Sequence, residues 1–326
     1  MSKESKIMIV DANVENIKLL DDLLVNRGFL VFSAFSTEEA MKKAEDARID
    51  LVIVGYSGDI NVSDFVREFK QKLSGCLIPV AMFVKAEDKE AKEKALSEGV
   101  DCILRLPLDE NEVVAAVKSL STIKKLREEV ERVEDAFYGL VKIIDSKDAY
   151  TKGHSERVTK MAVALARQLS LPADAVELIQ KAAKLHDIGK IGVPETILNK
   201  PGALSEEEYE QIKMHPVMSE KICSSLPSLA SVLKIIRHHH ERWDGKGYPD
   251  GLKAENIPLG ARVISVVDCF DAMATDRPYR GRLPKERIIA IFEAGAGTQW
   301  DKDIVEVFLK MIKSNVFERM TLYNED

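Results

Sequence analysis

Five short apolar runs, at residues 7–10, 30–33, 51–54, 80–84 and 102–104, alternate with helix-like stretches near 14–27, 37–47, 62–73, 88–98 and 110–118. Runs this short, apolar without alternation, suit strands buried on both faces, and the stretches between them suit crossover helices. The first 118 residues are therefore predicted to form an open α/β sheet of five parallel strands. In such sheets, sites lie at the carboxyl ends of the strands. There the chain offers Asp11, Gly55, Val84 and Leu106-Pro107.

After residue 118 the texture changes to STIKKLREEVERVEDAFYGLVKII, which contains neither Gly nor Pro before Gly139. Ile123, Leu126, Val130, Val133, Phe137, Leu140 and Ile144 step in threes and fours, a heptad seam. The spacing predicts a linker helix over 119–144 and leaves two readings open: a helical homodimer, or a helix packed on its own domain. From 145 to 315 the periods are helical almost throughout, broken at prolines such as Pro172, Pro194, Pro227, Pro258 and Pro284, so the second domain is predicted to be all-α; 316–326 reads as a tail.

The chain has 326 residues, 45% hydrophobic and 31% charged, a composition that excludes disorder and gives each domain enough length for a core. No apolar run suits a membrane span or a signal peptide, so the expected location is the cytoplasm. The net charge is −7, of which residues 1–120 carry −6, so no partner of the duplex nucleic-acid type is implied. Cys76, Cys102, Cys223 and Cys269 are widely spaced without a Cys-x-x-Cys pair, and read as reduced core thiols.

Histidine usage is uneven: His154, His186, His215, His238, His239 and His240 are all six, and none precedes residue 154. The pair His186-Asp187 in KLHDIGKIG ends an apolar helical stretch. Consecutive helical residues point about 100° apart, so this pair can serve a metal only if other segments bring ligands to it. His154, His215, the 238–240 triplet and Asp268 in ISVVDCFDAM supply such ligands. One buried His is usually a satisfied core residue, but six with two Asp in helical segments are harder to explain that way.

Residues 6–118 resemble the receiver domain of response regulators, with IMIVDANVENIKLL close to its first strand and helix. The family's functional positions are replaced: Gly55 stands at the phosphorylated Asp, Val84 at the switch Ser/Thr and Leu106 at the Lys, and Asp11 is followed by Ala12. Neither a cation cage nor a phosphoryl acceptor is left. The resemblance thus implies a pseudo-receiver over 1–118, regulated through protein partners.

HDIGK and HHHERWDGKGYPDGL, with DAYTKGHSERV, VVDCFDAMATDRPYR and GTQWDKDIV, resemble the HD-GYP subfamily of HD-superfamily phosphohydrolases, which hydrolyse cyclic di-GMP. The resemblance implies an HD-GYP domain over 145–315 and two divalent metals. His154, His186, Asp187 and Asp268 would hold one; Asp187, bridging, with His215, His239 and His240 would hold the other. Tyr150 replaces the Glu of trinuclear members, and a phenol of pKa near 10 is a poor substitute. Fe or Mn is favoured by the resemblance, and the imidazole-carboxylate set also suits Zn or Ni. His238, without a ligand role, is expected to be structural or to support the ligands from behind.

Hydrolysis across two metals about 3.5–4 Å apart needs an acidified water and a polarised phosphoryl oxygen. The resemblance implies Asp187 and Lys190 as catalytic residues, with Lys190 and Arg277 in contact with substrate phosphate. Gly247, Tyr248 and Pro249 would line the nucleotide, with the ring stacking on guanine; the same loop also reads as a turn that positions the His pair. The expected reaction is hydrolysis of cyclic di-GMP to linear pGpG, or on to GMP. The alternatives are another cyclic nucleotide as substrate, or a non-catalytic dinucleotide-binding scaffold.

Overall fold

The computed structural model describes residues 5–56, 61–72, 78–85, 87–147, 153–275 and 281–316, and the chain divides into two compact units, Met1–Arg132 and Val133–Asp326. In the first, β1 (Lys6–Val10), β2 (Leu30–Ala34), β3 (Leu51–Gly55), β4 (Val80–Lys85) and β5 (Cys102–Leu106) form a parallel sheet in the order β2-β1-β3-β4-β5. The helices α1 (Val14–Val25), α2 (Thr37–Ala47), α3 (Val62–Lys72) and α4 (Lys89–Ser97) cross between them. Met8, Val10, Val52 and Val54 pack against α2 and α3, while Ile7, Ile9, Leu51 and Ile53 pack against α1. Burial on both faces is why these strands carry no alternation. Side chains of Asn13, Ser36 and Asp88 cap α1, α2 and α4 by accepting from backbone N–H groups.

β1 and β3 pair with Val10 opposite Val54, so Asp11 and Gly55 meet where the strand order reverses. Asp11 is fully buried and accepts from Asn13 N (2.8 Å) and Asn16 Nδ2 (2.9 Å). A Cβ on Gly55 would lie 2.0 Å from Asp11 Oδ2 and 2.6 Å from the Phe83 ring. The Asp11 carboxylate occupies the space that a side chain at position 55 would need.

The helical stretch read at 110–118 and the linker helix read over 119–144 are one continuous helix. With no Gly or Pro from 110 to 138, it continues as α5 (Glu110–Lys147), one helix of 38 residues that joins the units. Lys124 is buried between Asp50 and Glu128, each 2.7 Å away. The heptad seam is divided: Ile123, Leu126, Val130, Val133 and Leu140 are exposed, whereas Phe137 packs against the core of the second unit and Ile144 is buried in it.

That unit is helical: α6 (His154–Gln168), α7 (Ala173–Leu185), α8 (Glu195–Leu198), α9 (Glu206–Lys213), α10 (His215–Cys223), α11 (Leu233–Arg237), α12 (Leu259–Ala274), α13 (Lys285–Gly295) and α14 (Lys302–Lys313). α6, α7 and α12 pack on one another through residues such as Met161, Leu165, Ile179, Ala183, Ile264 and Val267. Among the described residues the only β feature here is the bridge between Ala296 and Trp300. No helix of the described residues is long and apolar enough to cross a membrane. Cys102, Cys223 and Cys269 form no disulfide among the described residues, but only Cys223 is buried, since the other two face partly outward; Cys76 lies outside the described residues.

Candidate metal centre

α7 ends at Leu185, and the chain passes through His186 and Asp187 into a 3-10 turn, Ile188–Gly192. The α-helix therefore ends before Lys190. The tighter turn still sets Lys190 Nζ 2.5 Å from Asp187 Oδ2. Packing against α10 fixes this turn. A Cβ on Gly189 would stand 2.1 Å from His215 O and 2.5 Å from Ser219 N, so only glycine allows the approach. Ser219 Oγ donates to His186 O (2.7 Å) and accepts from Gly189 N (2.8 Å).

Four further elements deliver side chains to the same place. His154 opens α6, His215 opens α10, His239 and His240 follow α11, and Asp268 comes from α12. His215 Nε2 is 3.2 Å from Asp187 Oδ1, and His186 Nε2 is 3.5 Å from Asp187 Oδ2. His154 Nε2 is 3.2 Å from Asp268 Oδ1 and 3.6 Å from Asp187 Oδ2. Three sets, His215-His239-His240, His154-His186-Asp268 and His186-Asp187-His239, each have ligand atoms within 4.8 Å of one another and could hold a metal ion. All seven residues expected from the sequence as ligands stand in this cluster.

The chemistry of the donors fits a cation. Nδ1 of His186, His215 and His239 donates to the carbonyls of Ala183, Ile212 and Ile236, at 2.8, 2.7 and 2.6 Å. In a neutral ring that leaves Nε2 with a lone pair and no hydrogen, the arrangement common to metal-binding imidazoles. His215 Nε2 and His239 Nε2 then face each other at 3.2 Å, two acceptors with no proton between them in that state. His186 Nε2 is buried and has no hydrogen-bond partner among the described residues. A cation satisfies all three atoms.

Electrostatically the cluster has two halves. Burial, followed by the charges of neighbouring imidazoles, holds His239 well below the ordinary range and His240 down to about 3. Around His154, burial opposes protonation, but Asp268 and Asp271 outweigh it and push the ring up to about 10. For Asp187, burial favours the neutral acid, yet Lys190, His186 and His215 hold the carboxyl well below the usual carboxylate range.

The WDGKGYPDG loop is fastened to the histidine triplet. A Cβ on Gly247 would lie 2.3 Å from Arg242 N and 2.6 Å from His240 O. Tyr248 N donates to His240 O at 3.3 Å, and the Tyr248 ring stacks on His240 with centroids 4.9 Å apart at 29°. Its neighbour Pro249 follows in the same loop. His238 stands apart from the metal cluster: Nδ1 bonds Lys234 O and Nε2 bonds Asp250 Oδ2 at 2.9 Å, while Arg237 grips the same carboxylate. Arg277 and Tyr150 lie outside the described residues.

Several supporting residues escaped the sequence reading. Ser219 is one. Asp271 accepts from His154 Nδ1 at 2.7 Å and from Arg157 Nε and Nη2 at 2.7 and 2.9 Å. Asp145 accepts from Ser155 N and Oγ at the start of α6. The available signal was spacing: Asp271 follows Asp268 by three and Arg157 follows His154 by three, one face of a helix in each case.

The architecture and the clustered donors define a receiver-like α/β domain joined to a metal-dependent phosphohydrolase domain. The chain belongs to the HD domain family, which matches residues 140–304, and within it to the HD-GYP branch that carries an N-terminal receiver. It is 31% identical to a cyclic di-GMP phosphodiesterase of Thermotoga maritima over 96% of this chain and 92% of that protein. It is 30% identical to the cyclic di-GMP phosphodiesterase response regulator RpfG of Xanthomonas campestris over 90% of this chain and 87% of the relative. A 3'3'-cGAMP-specific phosphodiesterase 3 of Vibrio cholerae is 40% identical over 52% of this chain and 37% of its own length. Among solved structures, the receiver domain of an HD domain-containing protein from Pseudomonas fluorescens is similar at 18% identity and a TM-score of 0.37, covering 40% of this chain and 95% of that one.

Proposed function

We propose that this chain is a cytoplasmic phosphodiesterase that hydrolyses cyclic di-GMP at a dinuclear centre held by His154, His186, Asp187, His215, His239, His240 and Asp268. The observation that carries the reading is the convergence of imidazole nitrogens and two aspartates on one point, in a chain whose full-length relatives bear that activity in their names. Bound there, two divalent ions, Fe or Mn by preference, would supply Lewis-acid activation of water and of a phosphoryl oxygen. Asp187, kept ionised by Lys190 and its histidines, lies between the two halves and is the residue to bridge them. Lys190 and Arg277 balance charge that moves onto the phosphoryl and leaving oxygens. Tyr248, braced on His240, offers a ring for a guanine, with Gly247 and Pro249 shaping the loop. Water adds to phosphorus, the bond to the 3' oxygen breaks, and that oxygen leaves with a proton, giving pGpG; repetition gives GMP.

The test is turnover of the metal-loaded chain with cyclic di-GMP and with 3'3'-cGAMP side by side, products separated by chromatography and metal counted by elemental analysis. Preference for cyclic di-GMP with two metals per chain supports the reading. A preference for cGAMP moves the substrate, and tight binding without turnover makes the chain a scaffold.

The first unit is proposed to be a pseudo-receiver that answers to protein partners, because Asp11 fills the place of an acceptor side chain. A homodimer through the exposed part of the α5 seam is proposed as well. Sedimentation of the full chain and of Leu126→Lys checks it, with a dimer expected for the first and a monomer for the second.

A further inference from the structure

Three of the ligating histidines have their rings oriented by a carbonyl three residues upstream, but His154 cannot be held this way. It is the first residue of α6, preceded by Gly153 at φ +69°, so no earlier turn of its own helix lies behind it. Its Nδ1 is taken up instead by a side chain: Asp271 Oδ2 at 2.7 Å, from the far end of α12. Asp271 is itself clamped, its Oδ1 by Arg157 Nε and its Oδ2 by Arg157 Nη2, with its side chain only 3% exposed. Arg157 lies one turn along α6 from His154, and Asp271 one turn along α12 from Asp268. Asp268 and Asp271 therefore address opposite nitrogens of one ring, Asp268 from the Nε2 side at 3.2 Å.

Resting on the two-metal reading above, we infer that Asp271, clamped by Arg157, is the positioning residue of one metal only: it fixes the tautomer and the plane of His154 and strengthens Nε2 as a donor. A carboxylate behind a ligating imidazole acts in this way, and its loss costs about 10–100-fold in metal affinity. The second metal, on His215, His239 and His240, relies on backbone carbonyls or on no such acid, so its affinity is independent of Asp271.

Titration of the metal-free full chain with Mn²⁺, followed by equilibrium dialysis and elemental analysis, separates the two sites. In Asp271→Ala one Mn²⁺ is expected to weaken by about 10–100-fold while the other keeps its affinity. Asp271→Asn, whose amide oxygen still accepts from Nδ1, should fall between. The double variant Arg157→Met/Asp271→Ala removes both partners of this ion pair and guards against misfolding of the single one. It should show the same selective loss, with the helical circular dichroism of the unmutated protein. Unchanged affinities at both sites, or equal weakening at both, would overturn the inference. Failure of the underlying reading looks different, because the unmutated chain would then bind no Mn²⁺.

Discussion

Each unit buries an aspartate where a regular element ends: Asp11 after β1 and Asp187 after α7. Their burial is nearly the same and their surroundings are opposite. Asp11 meets a backbone N–H and the Asn16 amide, with no room at Gly55 for a second acid. Asp187 meets Lys190 and three imidazoles within 3.6 Å. A buried acid satisfied by neutral donors is part of the packing. One ringed by bases whose outer nitrogens are already committed, to carbonyls in His186 and His215 and to a carboxylate in His154, is available to a cation.

The contrast is broken most sharply at the two acids themselves. Asp187→Ala is expected to release both metals and cut hydrolysis on the order of 10³-fold or more, since the metals supply several kcal/mol of transition-state stabilisation. Asp11→Asn should leave metal content and turnover as they were. Near-stoichiometric metal in the Asp187 variant would remove it from the centre.

Lys190→Ala should lower kcat by about 10²-fold or more while elemental analysis still finds two metals, as expected for a lost charge-stabilising donor. A loss of metal rather than of rate would make Lys190 a guard of Asp187 alone.

Two smaller effects sharpen the comparison. Ser219→Ala strands buried His186 O and Gly189 N and should cost the second unit about 1–3 kcal/mol in thermal or urea unfolding. Gly55→Ala forces a methyl onto Asp11 and Phe83 and should cost the first unit about 1–3 kcal/mol, with no change in metal content. The unmutated chain, incubated with acetyl phosphate, should acquire no acid-labile phosphate on residues 1–118.

The sheet was legible because the inner strands β1, β3 and β4, buried on both faces, leave uninterrupted apolar runs, and each of the five strands is found within two residues of its expected ends. The continuity of the fifth helix with the linker was not: a texture change at 118 reads as a boundary, but nothing there stops a helix, and α5 runs on. The heptad seam could not reveal its partners, because the same spacing serves Ile144 inside a core and Leu126 at the surface. At the site, the resemblance to the HD-GYP subfamily grouped the seven residues that the fold brings together. It missed Asp271, which meets His154 across 117 residues, and Ser219, whose work is done on backbone atoms. The carbonyls behind His186, His215 and His239 have no sequence signal, since any amino acid provides one.

That last property bears on how such a chain can drift over generations. Ala183, Ile212 and Ile236 can be exchanged for other residues of suitable bulk without turning a single ring, because what they lend the site is common to all twenty amino acids. His154 has no such insurance: its orientation hangs on one acid and one arginine. Descendants that keep three histidines and lose Asp271 would retain one half of the centre and let the other fade, a graded route from enzyme to binding protein.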